Sequence, residues 1–106
     1  FRSFKGQNMA WTRTDRTHTL TVAGAQAWQA GILGNTVFQF IQTGAGAVQL
    51  QLEVSNDASS VEIADSITLG ASGDHTFSVL INSWRWYRIN VISITSTNVI
   101  ADVSGG

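Results

Sequence analysis

Trp84-Arg85-Trp86-Tyr87-Arg88-Ile89-Asn90-Val91-Ile92-Ser93-Ile94 is the stretch that decides the fold. Most of its positions are aromatic or β-branched, and it holds neither glycine nor proline. Such side chains fit a pleated, half-buried surface, so the run predicts a strand longer than usual. Tyr87, Ile89 and Val91 fall on one face. Trp84, Trp86, Ile92 and Ile94 fall on the other, interrupted by Arg88 and Asn90. Apolar groups on both faces predict a central strand, covered by a core on one side and partly covered on the other.

Working outward, the same reading yields a series of short strands. Thr17 to Ala23 alternates His18, Leu20 and Val22 against threonines, which makes a half-buried strand with His18 at the apolar face or its rim. Thr36–Gln42 and Ala47–Ser55 flank the glycine turn 43–46 and are expected to form a hairpin. In the second of these, Val48, Leu50, Leu52 and Val54 face inward and Gln49, Gln51 and Glu53 outward. Val61–Leu69 follows the turn 56–60, with Val61, Ile63 and Ile67 as inner candidates and a bulge at Asp65-Ser66. His75–Ile81 alternates Phe77 and Val79 against Thr76, Ser78 and Leu80, and Val99–Val103 is a last strand placed beside 84–94. Gly24–Gly34 reads as a loop with a short helical turn, where Trp28 either plugs one end of the core or stacks on a sugar. Seven or eight strands separated by turn residues predict an all-β fold, an antiparallel sandwich or barrel. One domain, 17–106, follows an extended N-terminal arm, 1–16.

Composition narrows the function. Of 106 residues, 12% are charged, about half the usual share, and 43% are hydrophobic, which argues against disorder. Little surface charge points to a chain with much of its surface against partners. The net charge of −1 is unevenly spread. In residues 1–16, Arg2, Lys5, Arg13 and Arg16 stand against Asp15, a local +3; beyond them two arginines stand against six acids, a local −4. The arm reads as a docking segment, with Phe4 and Trp11 as apolar anchors and its four basic side chains meeting acidic surface. The alternative is a first strand with a frayed terminus.

No motif for chemistry stands out. Cysteine is absent, so disulfides and thiolate metal sites are excluded. His18 and His75 are the candidate bases for a serine or threonine nucleophile, and neither lies in a nucleophile motif. The acids sit in turns or alternate outward on strands, and no loop around Asn56 and Asp57 has calcium-ligand spacing. No glycine-rich loop precedes a helix. The acidic body argues against nucleic acid, and no apolar run approaches the roughly 20 residues of a membrane helix. The expectation is a non-enzymatic chain without cofactor or metal.

Ser55-Asn56-Asp57 closes a glutamine-rich alternating strand, and Trp84-Arg85-Trp86-Tyr87-Arg88-Ile89-Asn90-Val91 precedes a final short strand. In this layout the chain resembles small β-sandwich virion proteins of tailed bacteriophages over about residues 17–103. The resemblance implies a jelly roll on the capsid surface, acting as a decoration or cement protein. Its partner would be the major capsid protein or another virion protein, and it would assemble as a dimer or trimer. The arm residues Arg2, Phe4, Lys5, Trp11, Arg13 and Arg16 would anchor it, with Trp84 and Trp86 near an interface. A tail or head-fibre module is a neighbouring expectation. The aromatic–Arg–Val strand is also similar to discoidin-like carbohydrate-binding sandwiches, so a carbohydrate-binding module is the alternative.

Overall fold

The computed structural model describes residues 14–32, 34–80 and 84–105. Their strands are β1 (Thr14–Leu20), β2 (Gly24–Ala25), β3 (Gln29–Ala30), β4 (Thr36–Gln42), β5 (Val48–Ser55), β6 (Glu62–Leu69), β7 (His75–Leu80), β8 (Trp86–Ile94) and β9 (Val99–Gly105). They form two antiparallel sheets. Sheet I runs β1-β9-β4-β7, and sheet II runs β2-β8-β5-β6, with β3 also on β8. If β2 and β3 count as one interrupted strand, each sheet has four strands and successive strands mostly alternate between sheets. That order is a jelly roll: two interleaved Greek keys closed into a sandwich.

The alternation in β5 dictates its place. Val48, Leu50, Leu52 and Val54 are buried between the sheets, as are Tyr87, Ile89 and Val91 of β8. They meet Leu20, Phe38, Phe40, Val99, Ala101 and Val103 from sheet I. Phe38 packs edge-on against Tyr87, with ring centroids 5.2 Å apart. Each fully buried side chain of this size contributes about 1.5–3 kcal/mol, so this layer holds the sheets together. The central strand expected at 84–94 is therefore found, flanked by β5 on one side and the short β2 and β3 on the other.

Several local expectations are corrected. β1 begins at Thr14, so residues 14–16 belong to the sandwich rather than to the arm. The described residues of the segment 24–34 contain two short strands on β8 and no helical turn. β4 and β5 do not pair as a hairpin: β4 pairs with β9 and β7, and β5 with β8 and β6. The turn between them crosses from one sheet to the other. Gly46 makes this crossing with φ at 117°, and a Cβ there would lie 1.9 Å from the Thr95 carbonyl oxygen. Gln42 is buried at the corner and donates through Nε2 to the carbonyls of Gly44 and Gly46, at 2.6 and 2.8 Å. β8 and β9 likewise lie in different sheets.

Two bulges redirect side chains. On β6, the register against β5 slips between Leu52↔Asp65 and Glu53↔Ile63, leaving Ala64 unpaired. Only Ile67 and Leu69 are then buried, while Val61 and Ile63 are exposed. On β8 the register passes from Gln49↔Ser93 to Leu50↔Val91, leaving Ile92 unpaired. Ile92 is exposed, whereas Ile94 turns back against the core.

Candidate interaction faces

Both long edges of the sandwich are closed by polar contacts between the sheets. At the β1 edge, Arg16 Nη1 donates to the Ala30 carbonyl and, at 3.4 Å, to the Tyr87 hydroxyl. The Tyr87 hydroxyl and His18 Nε2 are 3.1 Å apart. With Arg16 donating to the hydroxyl oxygen, the hydroxyl proton is available to a neutral His18 ring. Burial, together with the Arg16 charge, holds the His18 pKa below its ordinary value and keeps that ring neutral. At the opposite edge, Ser78 of β7 donates to the Asp65 carboxylate of β6. The β6 bulge is what turns Asp65 toward Ser78. Arg16, expected to anchor a partner, is thus engaged within the fold.

The outer face of sheet I is apolar at β4 and β7. Val37 lies opposite Val79, and Gln39 lies opposite Phe77. Phe77 is 57% exposed and Val79 54%, while Ser78 between them is buried. Ser78 and Leu80 of β7 point in, Leu80 packing against the core, while Phe77 and Val79 point out, so this strand carries large apolar side chains on both faces. Ile41 and Ile100, paired and half-buried, extend the apolar surface. His75 meets the Phe77 ring edge-on, 6.3 Å between centroids. Among the described residues, β7 is also the least protected edge. β1 carries Asp15 and Arg16, β6 has its bulge and Glu62, and β2 and β3 are two residues each. β7 pairs in continuous register and has no bulge, no proline and no lysine or carboxylate to deter another strand.

The outer face of sheet II is polar. Glu53, 4% exposed, accepts from Arg88 Nε at 2.7 Å and from Asn90 Nδ2 at 3.1 Å. The Arg88 guanidinium lies over the Trp28 ring, 4.3 Å from its centroid. Trp28 therefore does not plug the core; Trp84 does so, half-buried against core residues and lining a small cavity with Ile32, Leu80 and Tyr87. Farther along, Gln49, Gln51, Ser66, Thr68 and Ile92 line a shallow groove of about 120 Å³. Trp86 is half-buried at the start of β8. The sequence placed Gln49 and Gln51 outward, but Ser66, Thr68 and Ile92 reach this groove through pairing and bulges that no local pattern encodes.

The remaining candidates are not brought together. His75 has Nδ1 3.4 Å from the Gly73 carbonyl, and among the described residues no three metal-ligating side chains converge. Asp57 instead closes its own turn. It accepts from the Ser59 and Ser60 backbone N–H groups and from the Ser55 and Ser60 hydroxyls. These bonds, with the Ser60 N–H foremost, hold its pKa well below the carboxylate range. Arg2, Phe4, Lys5, Trp11 and Arg13 lie outside the described residues.

No family model matches the chain, and no curated protein matches it. A solved structure of PirA is similar over 92% of this chain and 97% of its own, with 16% identity and a TM-score of 0.51. At that identity the likeness bears on the fold alone: an independent chain of similar extent adopts a comparable architecture.

Proposed function

We propose that this protein is a non-enzymatic structural component of a tailed-phage virion, a decoration protein that docks on major capsid subunits and reinforces their junctions. The observation that carries the reading is the outer face of β7, with Phe77 and Val79 exposed beside Val37 on a strand that is a sheet edge among the described residues. A soluble chain tolerates such a patch at a cost in aggregation, and the usual return is a protein–protein interface. The Ser-Asn-Asp turn and the Trp84–Val91 strand support the virion assignment through their resemblance, and the jelly-roll order is compatible with it.

In this reading the outer face of sheet I meets the capsid, and the basic arm supplies a second attachment through Arg2, Phe4, Lys5, Trp11 and Arg13. Burying the roughly half of Phe77 and Val79 that is still exposed gains about 2–3 kcal/mol together before association costs. Copies repeated over a lattice add by multivalency if the protein is a dimer or trimer. Arg16 takes no part, since it is engaged by Ala30 and Tyr87. The test is occupancy on undecorated capsids of the same phage, measured for the full chain, for a chain lacking residues 1–13 and for Phe77→Lys/Val79→Lys. Saturable binding that both alterations weaken is expected. Binding unchanged by the double substitution removes sheet I from the interface, and no binding by the full chain removes the function.

A further inference from the structure

We propose that the outer face of sheet II is a second binding site, for a neutral oligosaccharide. It uses the opposite side of the sandwich from the capsid-docking face and does not depend on that reading.

The sheet registers place three successive rows of outward side chains on β6, β5 and β8. Thr68 lies beside Gln49 and Ser93; Ser66 beside Gln51 and Asn90; Ile63 beside Glu53 and Arg88. Rows two residues apart are about 7 Å from one another, so the strip is long enough for consecutive sugar rings. Its first two rows carry only amides and hydroxyls, groups that both donate and accept hydrogen bonds. The third row carries two charges that neutralise each other, because the Arg88 guanidinium is bonded to the Glu53 carboxylate at 2.7 Å.

This chemistry selects among ligands. An anionic polymer finds one guanidinium, already paired, so a nucleic acid or acidic polysaccharide gains little. A protein partner is better served by sheet I, where the large apolar side chains are contiguous. A neutral polyol fits: its hydroxyls alternate donors and acceptors against Gln49, Gln51 and Asn90. Its C–H faces meet Ile92, which the β8 bulge leaves 47% exposed at the groove wall. The groove volume of about 120 Å³ is well under the roughly 300–1,000 Å³ of an enclosed small-molecule pocket. It therefore suits a chain lying across the sheet, with each ring lightly held.

The experiment is titration of the ¹⁵N-labelled full chain with cellohexaose, xylohexaose, mannohexaose and laminarihexaose, with polygalacturonate and a short oligodeoxynucleotide as charged probes. At least one neutral hexaose is expected to shift the side-chain amides of Gln49, Gln51 and Asn90. Gln51→Ala/Asn90→Ala is expected to weaken that binding at least about tenfold. The exposed substitution Thr68→Lys gives an independent check should the double variant not fold. Shifts confined to another surface, tighter binding of a charged probe, or no shift with any neutral hexaose overturn the proposal. Because no capsid enters the titration, its result and that of the occupancy measurement are separable.

Discussion

Two side chains set how stability responds to acid. Asp57 is held ionised by four hydrogen bonds within the turn 55–60, so its folded-state pKa lies below that of the unfolded chain. Its contribution is present above about pH 4 and is lost as pH falls further, when the unfolded chain takes up the proton more readily. Asp57→Asn is expected to lower the urea midpoint at neutral pH, with the gap to wild type narrowing below about pH 4. His18 acts in a different window. Its folded pKa is also lowered, but for a base this means the neutral form is the one the fold accommodates, against Tyr87 and beside Arg16. Stability is expected to fall as pH drops below about 6.5, and His18→Gln to flatten the profile there. Denaturation at several pH values with both variants separates the two effects. The Asn56-Asp57 turn and the rim position of His18 were legible in the sequence because each rests on local pattern. The exchange of roles between Trp28 and Trp84 was not: which tryptophan reaches the core end depends on where β3 and β8 pair, a contact between residues far apart in the chain.

At the scale of elements, period-two alternation placed the inner faces of β5 and β8 correctly, because both are central strands whose buried face is continuous. It failed for β6, where one unpaired residue at Ala64 reverses the faces, so that Val61 and Ile63 emerge and Asp65 turns in. In β7 the alternation is regular but serves an external face, and alternation alone does not say which face is inside. The β4–β5 hairpin was misread for a related reason: a glycine turn between alternating strands signals a reversal, not which sheet receives the second strand. Three outcomes follow. Gly46→Ala is expected to cost on the order of 2–3 kcal/mol in urea denaturation, since both its φ and the Thr95 carbonyl oppose a Cβ. Phe77→Lys/Val79→Lys is expected to change unfolding free energy by no more than about 0.5 kcal/mol per site, as exposed positions do. Phe38→Ala, in the core, is expected to lose about 3–5 kcal/mol.

At the scale of the molecule, the jelly roll produces two outward faces of opposite character. One is apolar and bordered by β7, an edge strand among the described residues; the other is polar, internally neutral and grooved. The polar bonds of Arg16, His18 and Tyr87 at one edge, and of Ser78 and Asp65 at the other, tie the sheets together. In the proposed function, the apolar face docks on a capsid. The most direct test of this docking is the occupancy of the full chain on undecorated capsids, wild type against Phe77→Lys/Val79→Lys, with folding of both verified by denaturation. Saturable decoration by the wild type is expected, with an affinity lowered at least about tenfold for the folded double variant. Equal decoration by both, or none by the wild type, would contradict it.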